Sequence, residues 1–229
     1  MVVNRAVRLN YNVHHKSALL PKAATGTIAV MKSPIRYCTI VLAFALGALN
    51  AIFADSATWS MNPTSGDWNT ATNWTPNTVP NGPDDVATFG LSHQTNVFVS
   101  GFALELNELT FSPGARPFTI NAIDGWDVTI SGTGIINNSG IAQNFVLTSE
   151  SQLDLRNNAT AGDVTFFTLK GGHGFQNQGG TVVFSNAASA GSATFVLYSP
   201  ETRLAYSGGA VYFYGSSSAG NGSFNAQVC

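Results

Sequence analysis

Asn157-Asn158-Ala159-Thr160-Ala161-Gly162-Asp163-Val164-Thr165-Phe166 recurs, without a gap and in the same frame, as Asn186-Ala187-Ala188-Ser189-Ala190-Gly191-Ser192-Ala193-Thr194-Phe195. A third copy opens at Gly215 and runs through Ala219-Gly220 to Phe224. In the same frame Gly179-Gly180 matches Gly208-Gly209, and Val182 and Phe184 match Val211 and Phe213. Ten of 29 positions are identical between 157–185 and 186–214. Leu153 and Leu155 align with Val182 and Phe184, so the array begins before residue 157.

A fixed period of about 20–50 residues marks a solenoid or an array. With several short strands and no helix in the period, it predicts one coil of a parallel β-helix. Coils stacked about 4.8 Å apart would set Phe166, Phe195 and Phe224 in one internal ladder. Val182 over Val211 and Phe184 over Phe213 would form a second, with Val183 and Tyr212 pointing outward. The repeated glycines are expected to supply positive φ at coil corners. A propeller blade needs about 40–45 residues. An antiparallel sandwich, the competing architecture, would not need like residues in register at every period.

Working outward, the chain from Asp55 on has no sustained i, i+3, i+4, i+7 apolar pattern. It has short β-rich runs instead: Val97–Val99, Leu109–Phe111, Phe118–Ile120, Val128–Ile130 and Phe145–Leu147, with Gly, Asn and Ser between them. The fold class is all-β, a parallel β-helix or solenoid with a Trp-rich N-terminal capping module. The expected division is an N-terminal β module over 55–127 and a solenoid over 128–229, with repeats at 157–185, 186–214 and an incomplete one at 215–229.

Of 229 residues, 44% are apolar and 10% charged, against about 25% charged in ordinary proteins. Such a chain can bury a core and is a poor polyelectrolyte binder, so no nucleic-acid partner is expected. Two cysteines exclude a disulfide scaffold or a cysteine metal cluster. Net charge is −2, unevenly spread. Residues 1–54 carry six basic residues and no acid. From Asp55 on, four basic residues stand against twelve acids, giving −8.

A basic, acid-free leader is what a targeting segment looks like. Met31-Lys32 and Arg36 make the charged region, Ile40–Leu49 the apolar one, and Ala51 and Ala54 offer small residues for cleavage. About ten apolar residues are too few to span a bilayer. The expectation is a signal peptide over 31–54 and an exported protein found at the cell surface or outside the cell. Residues 1–30 are then a misassigned start, with Met31 the true one, or an extended leader. Cleavage after Ala54 would leave Cys229 as the only cysteine.

Ahead of the array stand Trp59, Gly66-Asp67-Trp68, Asn73-Trp74 and Val79-Pro80-Asn81-Gly82-Pro83-Asp84-Asp85-Val86-Ala87-Thr88-Phe89. This pattern resembles the N-terminal module of bacterial exported proteins with autotransporter-associated β-strand repeats. The Gly-Gly-x-Val-x-Phe repeats are similar to the same group, and the likeness runs from Ala57 to the end. It implies an extracellular, often right-handed β-helical passenger, usually without a known activity. The sequence departs from that group in having no C-terminal barrel of alternating strands. It reaches Cys229 partway through a repeat, so a truncated reading frame is expected. Membrane contact is expected only through the leader or a missing barrel.

Trp59, Trp68 and Trp74 could stack on sugar rings or plug an open solenoid end, and the plug is favoured because solenoid ends need caps. Asp84-Asp85 sits in a turn-rich stretch and is expected to make turn hydrogen bonds rather than hold a metal. Gly171-Gly172-His173-Gly174-Phe175-Gln176 places an amide where a Ca²⁺-binding repeat needs a carboxylate. His93 and His173 are not spaced as a metal pair. Asp154 and Arg156 would share a strand face as an ion pair. The next coils carry Val183 and Ser185, then Tyr212 and Tyr214, at those positions, so no carboxylate ladder develops. No nucleophile or phosphate-binding motif occurs, and no catalytic residue, cofactor or metal is assigned. The expected function is a non-enzymatic surface or passenger segment for adhesion, spacing or coating, with surface glycans or other surface proteins as partners. A carbohydrate-binding or carbohydrate-active β-helix is the alternative.

Overall fold

The computed structural model describes residues 56–228 apart from 100, 102 and 124. Residues 1–30, the signal peptide expected over 31–54, and Cys229 lie outside the described residues. The strands are β1 (Ala57–Trp59), β2 (Trp74–Thr75), β3 (Gly82–Phe89), β4 (Asn96–Val99), β5 (Leu104–Phe111), β6 (Thr119–Ala122) and β7 (Asp127–Asn137). They continue as β8 (Gln143–Leu147), β9 (Gln152–Leu155), β10 (Thr165–Leu169), β11 (Thr181–Phe184), β12 (Thr194–Tyr198), β13 (Ala210–Phe213) and β14 (Ser223–Gln227). One short 3-10 turn, Ala71–Asn73, precedes β2.

From β3 on, the chain alternates between two sheets. One has the order β13-β11-β9-β7-β5-β3-β1-β2, the other β14-β12-β10-β8-β6-β4. Every strand pairing is parallel except β1 with β2. Two strands per turn and parallel neighbours one turn apart make a β-solenoid of about six turns. The parallel pairing excludes the antiparallel sandwich.

A third, narrow face was not foreseen. Its early turns use the far halves of β3, β5 and β7, beyond register shifts before Val86, Glu108 and Gly134. Its later turns keep only single bridges, Gly134 to Thr160 to Ser189 to Ser218. Small residues suit that narrow corner, and Ala159, Ala161, Ala188 and Ala190 are fully buried there.

Period-2 alternation drives one side of each strand inward, as in β8, where Gln143, Phe145 and Leu147 are buried and Asn144 and Val146 are less so. The expected ladder of Val182 over Val211 and Phe184 over Phe213 is present, with Leu153 and Leu155 beneath. Phe184 and Phe213 stack 4.9 Å apart and 6° from parallel.

The other ladder needs a correction. Phe195 and Phe224 stack at 4.9 Å, but the residue beneath them is Phe167, not Phe166. Phe166 pairs with Thr194 and is 40% exposed, whereas Phe167 is fully buried. The cause is one extra residue at the corner before β10. Val164 takes a positive φ of 52° and stays exposed. Thr165 turns inward and donates from Oγ1 to the Ala161 carbonyl at 2.8 Å. The following loop is one residue shorter, so the frame of the repeat returns at Val182.

The expected boundary at 127/128 corresponds to no break. β5 pairs with β7 from Leu104↔Val128 to Phe111↔Asn137, and the parallel ladder starts at β1 and β3. The glycines divide into two kinds. Gly162, Gly191 and Gly220 do take positive φ at successive corners. Gly180 and Gly209 serve close approach instead: a Cβ there would lie 2.3 Å from the Leu147 and Leu169 carbonyl oxygens.

Candidate functional site

The three tryptophans are brought together, but not as a platform. Trp59, Trp68 and Trp74 are 1%, 0% and 1% exposed. Trp74 meets Trp59 and Trp68 edge-on at 5.0 and 4.7 Å. The rings of Trp59, Trp68 and Trp74 lie 5.9, 5.7 and 5.6 Å from Phe89. Each indole N–H donates to a main-chain carbonyl: Trp59 to Gln94, Trp68 to Pro80, Trp74 to Trp68. No ring face is open to a sugar, which corrects the glycan-contact alternative for these residues.

Their motif closes both sheets. Gly66 accepts from the Phe98 amide and Trp68 donates to the Phe98 carbonyl, so 66–68 layers onto β4. A Cβ at Gly66 would sit 2.4 Å from the Asn96 oxygen. On the other sheet β1 covers β3, and antiparallel β2 covers β1. Buried Asn73 ties this together. Its Oδ1 accepts from the Thr64 and Ser65 amides, and its Nδ2 donates to the Asp67 carbonyl and Ser65 Oγ.

Asp85 is buried and accepts from the Asn81 amide at 2.8 Å, a turn hydrogen bond, while Asp84 is exposed. His93 and His173 both lie on exposed loops, and His173 Nδ1 stands 3.3 Å from Glu201 Oε2. In the Gly171–Gln176 segment, Gly171 is packed against the Ser199–Pro200 backbone and Gly172 against the Asn177 carbonyl of its own loop. Among the described residues no three His, Cys, Asp or Glu side chains gather as a metal site.

The outward face of the longer sheet holds the remaining polar candidates. Arg156 donates to Asp154 Oδ2 at 2.5 Å, and Gln152 Nε2 donates to Asp154 Oδ1 at 2.9 Å. Asp163 is separate from this group, at the corner before β10. Sequence reasoning missed Asp127, which the register sets opposite Gln152. Asp127 is an exposed residue at the start of β7, and its carboxyl is held above the ordinary 3.8 first by partial desolvation and then by the negative charge of Asp154. Asp127 and Gln152 stand closer in sequence than one period of the repeat, so that frame could not align them.

Asp127, Glu150, Ser151, Gln152, Gln178, Gly179 and Thr181 line a cleft of about 130 Å³. Ligand pockets usually hold about 300–1,000 Å³, so this cleft is too small for a sugar ring. An apolar cavity of about 20 Å³ lies inside the coil, lined by Trp68, Leu104 and Phe145 among others. An open hollow of about 340 Å³ lies between Ser149, Glu150, His173 and Asn177, among exposed loop side chains. What the face offers chemically is a long polar surface with few charges.

Comparison with protein-family models, with curated proteins and with solved structures found no match.

Proposed function

We propose that this chain is an exported, non-enzymatic β-solenoid acting as a surface or passenger segment for spacing, coating or weak adhesion. The observation that carries the reading is the build of the coil. Internal apolar ladders run along the coil, and its strands stay in parallel register along the axis. A rod of this kind suits repeated weak contacts, where avidity rather than one deep pocket gives attachment. The acid-free basic leader supports export. The Trp59-to-Phe89 motif supports a place beside autotransporter-associated repeat proteins, since it closes the N-terminal end of the coil. The carbohydrate-active alternative is less well supported, because the one carboxylate–guanidinium pair among the described residues, Asp154 with Arg156, is self-neutralised.

The test is location. The full chain, with an epitope inserted in the exposed 173–176 loop, is expressed in a Gram-negative host. The expected result is epitope in the exported or surface fraction and an N-terminus beginning near Asp55. Epitope confined to the cytosol, with the leader intact, overturns the reading.

A further inference from the structure

Of the exposed apolar side chains, Tyr212 and Tyr214 stand apart because the fold aims them together. On β13, Val211 and Phe213 turn inward onto Val182 and Phe184. Alternation therefore points Tyr212 and Tyr214 outward, where they are 45% and 57% exposed. Their rings lie 6.2 Å apart and 22° from parallel.

The register extends that pair into a strip. Tyr212 stands beside Val183, and Val183 beside Asp154. The neighbouring row is Tyr214, Ser185 and Arg156, whose amides donate to the Phe184, Leu155 and Ile130 carbonyls. Two strand spacings, about 10 Å, separate the tyrosines from the ion pair. Between them lie half-buried Val183 and Ser185. Asp154 is fixed from two sides, by Arg156 and by Gln152. The strip thus has a stiff aromatic end, a low floor and a held polar end.

We infer that this strip is a binding platform for a neutral oligosaccharide. A sugar ring combines an apolar face, which stacks on tyrosine at low conformational cost, with hydroxyls that bond Asp154, Arg156 and Gln152. Arg156 neutralises Asp154, and Asp127 opposite Gln152 leaves the polar end net negative, which disfavours an anionic ligand. The inference rests on the surface-segment reading and names the ligand class of that surface. It moves the aromatic contact from the buried tryptophans to the tyrosines.

The test uses the full chain in titration calorimetry with neutral hexasaccharides of β-1,4-linked glucose, xylose, mannose and N-acetylglucosamine. Polygalacturonate and hexalysine serve as charged probes. At least one neutral hexasaccharide should bind. Tyr212→Ala/Tyr214→Ala should weaken that binding at least tenfold, and Tyr212→Phe/Tyr214→Phe should hold it within about threefold. Should the alanine pair lose its thermal transition, Arg156→Met tests the polar end and should weaken binding several-fold. Three results overturn the inference: no neutral saccharide bound, affinity unchanged in folded variants, or only a charged probe bound. None of these would alter where the epitope-tagged chain is found, so the two readings fail separately.

Discussion

Asp127 shows how one carboxylate can work against the fold that holds it. Partial desolvation and the charge of Asp154 raise its pKa, so the folded chain grips the proton more tightly than the unfolded chain does. The stability gained from that proton is fully present below the ordinary value of 3.8 and is lost as pH rises through the raised one. At neutral pH the ionised group is a cost. Asp127→Asn should therefore raise the melting temperature at pH 7 and change little at pH 3, as thermal denaturation at both values would show. Of the residue-scale features, the roles of Trp59, Trp68 and Trp74 were legible, since a solenoid needs its end closed. Asn73 was not, because an amide with five hydrogen bonds reveals itself only once the segment 64–74 has closed around it.

Register is settled at the scale of the strand, and there the sequence carried more than its best-matching frame used. The triplets Phe145-Val146-Leu147, Phe167-Thr168-Leu169 and Phe195-Val196-Leu197 share one alternation, and the structure layers them directly. Counting one period back from Phe195 lands on Phe166 instead, because Thr-Phe occurs in both copies. Side-chain alternation decides between them, since a one-residue slip turns a strand inside out. Phe167→Ala should cost about 3–5 kcal/mol, as expected for a fully buried phenylalanine, and Phe166→Ala no more than about 0.5 kcal/mol. Urea denaturation of the two variants measures both, and equal costs would refute the register. Coils before Leu153 did not show as repeats for a physical reason. Internal ladders require like size and polarity at layered positions, not like identity. Corner loops absorb differences in length, so the chain takes a shorter path from Phe145 to Phe167 than from Phe167 to Phe195. The outward tyrosine pair was legible as two positions aligned with Asp154 and Arg156. Its ring geometry was not.

At the scale of the whole solenoid, each turn touches only its neighbours, so stability is local and roughly additive along the axis. The first turn is covered on both sheets by residues 56–75. Among the described residues no strand is bonded to the far edge of β13 or β14. Hydrogen exchange in this chain should follow that gradient, with the slowest amides in β7 to β10 and the fastest in β13 and β14. Uniform protection along the axis would argue against nearest-neighbour cohesion. The same layering has a mechanical side. Inter-strand hydrogen bonds run along the axis, so axial tension pulls directly on them, and a turn that lets go releases its whole circumference. A coil that occupied about 4.8 Å of the axis would extend, at about 3.4 Å for each of its residues, to roughly 75–100 Å. Under load such a rod lengthens in large, separate steps, as a tether does when it gives ground turn by turn without parting.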